Sequence, residues 1–160
     1  MVSTADEPLV SFLEKLYARR ALEDTLVLIM GDHGSRFAPI RETYQGKLEE
    51  RLPLMAIILP EKLKQLRPNA LKALKHNSAV LTTVFDVHTT ILDVLDLKDK
   101  SNKYTVPGSD LPRAMSLLEP IPKSRSCSEA GIIQHWCTCT KWFNVSKSSP
   151  MYTAVANVLA

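Results

Sequence analysis

Ten residues constrain this chain more than any others: Thr25-Leu26-Val27-Leu28-Ile29-Met30-Gly31-Asp32-His33-Gly34. The stretch Leu26 to Met30 is apolar without alternation, the pattern of a strand buried on both faces of a parallel sheet. Open α/β sheets bind their ligands beyond the carboxyl ends of their strands, and Asp32 and His33 fall there. A carboxylate oxygen and an imidazole nitrogen both ligate divalent metals such as zinc. Neighbouring side chains on a regular strand point to opposite faces, so the two can meet one ion only where the chain leaves the strand. Gly31 and Gly34 give the backbone that freedom. The pair reads as half of a metal site.

The remaining pattern is that of a layered α/β chain. Leu9, Phe12, Leu13, Leu16 and Tyr17 recur at helical spacing, so residues 8–20 are expected to form an amphipathic helix with Pro8 in its first turn. The polar stretch Ser35 to Arg51 is expected to be loop. Leu52 to Pro60 is a second apolar run bounded by prolines, read as another buried strand. Leu63, Leu66, Leu71 and Leu74 mark a helical region divided by Pro68. Residues 78–83 are read as a short extended piece, residues 85–95 as a helix, and residues 98–113 as loop. Beyond Leu118 the chain turns rich in proline and cysteine, which reads as an irregular tail tied to the domain.

With 160 residues, 45% hydrophobic and 23% charged, the chain can bury a real core and should fold. Its net charge of +3 is spread out, and Lys62, Lys64, Arg67, Lys72 and Lys75 lie at helical spacing, as on a solvated helix face. No broad basic patch with interleaved aromatics argues for nucleic acid. No segment is long and apolar enough for a membrane span. The start, Met1 to Pro8, is polar and acidic and does not read as a secretory signal. Three late cysteines and the sequon Asn144-Val145-Ser146, with Asn144 the acceptor, lean towards the secretory route. A preceding N-terminal segment would reconcile these signs.

Three blocks carry a resemblance: Gly31-Asp32-His33-Gly34; Gly46 to Pro53 running into a hydrophobic strand; and Phe85-Asp86-Val87-His88-Thr89-Thr90-Ile91-Leu92. In that order they resemble the C-terminal half of the alkaline-phosphatase/sulfatase superfamily. Arg125-Ser126-Cys127 and His135-Trp136-Cys137-Thr138-Cys139 are similar to a subgroup of uncharacterised animal sulfatase-like proteins, known as a domain of unknown function. The resemblance implies an α/β fold: the C-terminal half of a mostly parallel sheet flanked by helices. Residues 1–120 would belong to it and residues 121–160 would form the cysteine-containing tail. It implies that Asp32 and His33 ligate a divalent metal, zinc in preference to calcium. Such a metal polarises a phosphate or sulfate ester and activates the nucleophile. The nucleophile and a further acidic ligand would come from an N-terminal half preceding residue 1, so these residues alone are expected to be inactive. The alternative is a non-catalytic interaction module.

Arginine forks suit oxyanions, and Arg41 is the candidate to hold the substrate, ahead of Arg36 and Lys47. Glu49, Glu50 and Arg51 are expected to form local salt bridges. His88, inside the third block, reads as structural or surface, and His76 as a helix-end residue. His135 with Cys137 and Cys139 lacks zinc-ligand spacing; a disulfide of Cys127 with Cys137, or else with Cys139, is preferred.

Overall fold

The computed structural model describes residues 3–37, 39–97, 99, 101, 103–141 and 145–159. The glycosylation candidate Asn144 lies outside them. Among the described residues are six α-helices and one two-stranded sheet. Strands β1 (Val27–Met30) and β2 (Met55–Ile58) fall within the two apolar runs, but they pair antiparallel, Val27 with Ile58 and Met30 with Met55. The expectation of a parallel sheet is therefore not met by this pair. The connection explains why: it leaves and returns at the same end, and Gly31 N–H still bonds Leu54 C=O at 3.0 Å. An apolar run states that a strand is buried; it does not state which way its neighbour runs.

Nor are both faces buried. Leu28, Ile57 and Leu59 alternate onto one side and pack with Leu26, Leu74, Leu117 and Leu118 in the core. On the other side Ile58 is exposed, and Val27, Ile29 and Ala56 are only partly covered.

Helix α1 (Ser3–Ala18) begins before the position expected, so that Pro8 lies inside it and not at its first position. The stretch after Gly34 is not all loop. A 3-10 turn, Pro39–Glu42, leads into α2 (Tyr44–Arg51), capped by the Thr43 hydroxyl, which accepts the Gly46 N–H at 3.0 Å. The leucine-rich region forms α3 (Glu61–Leu66) and α4 (Ala70–Asn77), interrupted at Pro68. Residues 78–83 are not a strand: Ala79 and Val80 N–H bond back to His76 and Asn77 C=O as turns closing α4.

Helix α5 (Val84–Val94) starts in a capping box, with the Asp86 carboxylate accepting the Thr83 N–H at 2.7 Å. Asp86, Thr90 and Asp93 lie on one face of α5 at helical spacing, and all three are buried. They grip the chain that follows. Asp86 Oδ1 accepts Met115 N–H (2.8 Å), Thr90 Oγ1 accepts Leu117 N–H (2.7 Å), and Asp93 Oδ2 accepts the Ser116 hydroxyl (2.6 Å). From α4, Asn77 donates to Leu117 and Glu119 C=O and accepts Ile121 N–H. The segment 115–121 has no regular structure, so polar side chains satisfy the backbone groups that a ladder would otherwise pair.

The cysteine-rich stretch contributes to the interior: Ile121, Arg125, Cys127, Ala130 and Cys137 are all buried. Cys127 and Cys137 are disulfide-bonded, with Cα atoms 5.8 Å apart, and Cys139 is a free, exposed thiol. The tail is not irregular throughout, because Pro150–Leu159 forms α6.

Candidate metal centre

The chain leaves β1 at Gly31, and Asp32 and His33 turn onto the rim. Gly34 fixes how they do so. Its N–H bonds Glu50 C=O at 2.9 Å, and a Cβ there would sit 1.8 Å from Glu49 O, so only glycine fits against α2. Gly46 allows an equally close approach between α2 and the 3-10 turn, where a Cβ would fall 2.0 Å from Ile40 O. The Asp-His turn, α2 and the 3-10 turn are thereby stacked backbone to backbone.

The two side chains are brought together. Asp32 Oδ1 accepts the His33 backbone N–H at 2.9 Å, and Asp32 Oδ2 lies 3.5 Å from His33 Nε2. His33 Nδ1 lies 2.7 Å from Gly34 O. A carbonyl can only accept, so Nδ1 carries the hydrogen, and in the neutral ring Nε2 presents its lone pair beside the carboxylate. A proton on Nε2 or a metal ion shared with the carboxylate would each relieve the facing lone pairs. A ring nitrogen tied to a backbone carbonyl with the other free is also the arrangement usual for a metal-bound histidine. The donor set therefore suits a divalent ion. Both residues are exposed, and Asp32 keeps 88% of its side-chain surface.

Behind the pair lies Glu50, 6% exposed, facing two guanidinium groups: Arg41 Nε at 3.2 Å and Arg36 Nε at 3.9 Å. Arg41 also donates from Nη1 to Arg36 C=O at 3.2 Å. Its fork is thus oriented from beneath while about half of the side chain stays open to solvent. One buried carboxylate thus faces two arginines on this rim.

Other candidates are used elsewhere. The Thr43 hydroxyl donates to Ile40 C=O and caps α2. His76 Nε2 bonds Ile121 C=O at 2.9 Å, and His135 meets Trp136 edge-on, with ring centroids 4.9 Å apart. His88 is exposed on α5. Among the described residues, no third His, Cys, Asp or Glu side chain groups with Asp32 and His33. The cysteines do group, but two of them are bonded to each other.

The partner of Asp86 was not foreseen. Arg125 reaches it with both nitrogens, Nη1 to Oδ2 at 2.8 Å and Nη2 to Oδ1 at 3.1 Å, and neither side chain has any exposed surface. Arg125 also donates to the carbonyls of Leu81 and Arg113. The pair joins residues 39 positions apart, and nothing local to Asp86 signals such a partner.

A mixed α/β chain with an Asp-His pair on the rim of its sheet belongs to a broad class. A family model resolves it further: residues 1–159 match the family described as a protein of unknown function, DUF229. The chain belongs to that family. No curated protein and no solved structure matches it.

Proposed function

We propose that this chain is the C-terminal portion of a metal-dependent phosphate or sulfate ester hydrolase or transferase of the sulfatase-like class. Asp32 and His33 supply two ligands to a divalent ion, zinc in preference to calcium. The observation that carries this reading is the 3.5 Å approach of His33 Nε2 to Asp32 Oδ2 with Nδ1 tied to Gly34 O. The order of the three sequence blocks and membership of DUF229 support it.

When bound, such an ion polarises the ester oxygens and lowers the pKa of an attacking hydroxyl. The residues of this chain do the rest by positioning. Gly34 holds the turn against α2, His33 aims Nε2, and Glu50 orients Arg41 towards an incoming oxyanion. Ions in catalytic sites normally take three or more protein ligands, so further ligands and the nucleophile would come from a preceding half. Strands from that half would extend β1 and β2 into a larger, mostly parallel sheet, since a lone pair of strands is marginal in water. The Cys127–Cys137 disulfide is in keeping with an extracellular or secretory-lumen location. Among the described residues no helix is long and apolar enough to cross a membrane.

The second reading is a non-catalytic interaction module. It is favoured by the lack, among the described residues, of a third side chain grouped with the pair. Calorimetric titration with zinc, manganese and calcium separates the readings. Zinc binding that is lost in Asp32→Ala and in His33→Ala supports the metal site, whereas equal binding by all three proteins removes it.

A further inference from the structure

The three sulfurs of Cys127, Cys137 and Cys139 all lie within 4.8 Å of one another. Two are joined and buried, and the third is a free thiol open to solvent. A thiol this close to a disulfide faces its exchange partner without any large movement of the chain. We infer that the three cysteines form a thiol–disulfide exchange centre, in which the bridge alternates between Cys127–Cys137 and Cys127–Cys139.

The step is an isomerisation and needs no oxidant or reductant. The Cys139 thiol loses its proton, and its sulfur attacks Sγ of Cys127. A Cys127–Cys139 bond forms as the Cys127–Cys137 bond breaks. The electron pair leaves on Cys137 sulfur, which takes up a proton. Attack on Cys137 instead would join residues separated only by Thr138, a tight ring that strains disulfide geometry. The favoured exchange lengthens the present loop, whose cysteines are 10 residues apart, by two residues. Chain entropy then separates the pairings by a factor of only about 1.3. Packing sets the balance.

The consequence lies next to the bridge. Cys139 and Thr138 line an open groove of about 740 Å³ between Met55 and Ile57 of β2 and Leu71 and Leu74 of α4. Exchange withdraws the Cys139 thiol from this groove. Trp136, next to Cys137, has its ring under the Arg51 guanidinium at 5.2 Å, at the end of α2. The bridge is thus a switch for the shape of the groove.

The test uses the full chain, incubated in mildly alkaline buffer without added thiol, quenched with acid and alkylated with N-ethylmaleimide. The remaining cysteines are then reduced and labelled with iodoacetamide. All three fall in the tryptic peptide 126–141, so fragmentation must locate the label. Exchange predicts maleimide on Cys139 at first and on Cys137 increasingly with time, while Cys127 stays protected. In Cys137→Ser, it predicts a Cys127–Cys139 bridge and no free thiol. Maleimide confined to Cys139 at all times, or appearing on Cys127, would overturn the inference. So would two free thiols in a folded Cys137→Ser.

Discussion

Arg125 and Asp86 form a two-pronged ion pair at 2.8 and 3.1 Å with neither side chain exposed, joining the start of α5 to the cysteine-rich stretch. A buried pair gains little net stability over apolar groups, but removing one member strands the other. Arg125→Met is expected to destabilise by about 3–5 kcal/mol. The double variant Asp86→Leu with Arg125→Met is expected to lose less than the two single variants summed. Urea unfolding of all four proteins checks this; simple additivity would mean that the pair is not coupled.

Asn77 makes three bonds to the segment 117–121, at 3.0, 2.8 and 2.9 Å. Asn77→Ala leaves two carbonyls and one N–H without their protein partner. The expected loss is about 2–4 kcal/mol. Hydrogen exchange gives a local readout, because the Ile121 amide should lose its protection before the amides of α5 do.

Two glycines should respond very differently to alanine. At Gly34 the new Cβ meets Glu49 O at 1.8 Å, so the turn and α2 must separate, at a cost of about 2 kcal/mol or more. At Gly108, φ is +82° and nothing lies within 4 Å, leaving only backbone strain of about 1 kcal/mol. Thermal unfolding orders the two. If Gly108→Ala proves the more damaging, the close packing of the Asp-His turn on α2 is wrong.

The Glu129 carboxyl is held below its usual range, first by the Ser126 backbone N–H, then by the Ser126 hydroxyl. A lowered folded-state value means that this contribution is present above the unfolded pKa and is lost as pH falls through the folded one. Ser126→Ala should move the Glu129 titration upward towards an ordinary glutamate, read from its side-chain NMR shifts. An unmoved titration would exclude the hydroxyl as a cause.

How far the sequence reaches follows from the range of each interaction. The apolar runs around Val27 and Ile57, the break at Pro68 and the helix after Thr83 are local patterns, and they were legible. The direction of β2 against β1 was not, because it depends on where a long connection returns. The helix Tyr44–Arg51 was hidden by its polar surface, although Thr43 and the glycine at position 46 mark its cap and its close packing. At the candidate site, the residue types of Asp32, His33 and Arg41 could be read directly, as could local salt bridging by Glu50. That one buried Glu50 serves both Arg36 and Arg41 could not, because it depends on the stacking of two loops.

The most direct test of the central claim is nitrogen-15 NMR of the His33 ring during zinc titration. The geometry predicts hydrogen on Nδ1 before metal, then a zinc-dependent shift at Nε2 that is lost in Asp32→Ala. A His33 ring with its hydrogen on Nε2, or one that zinc leaves unchanged, would contradict the metal centre.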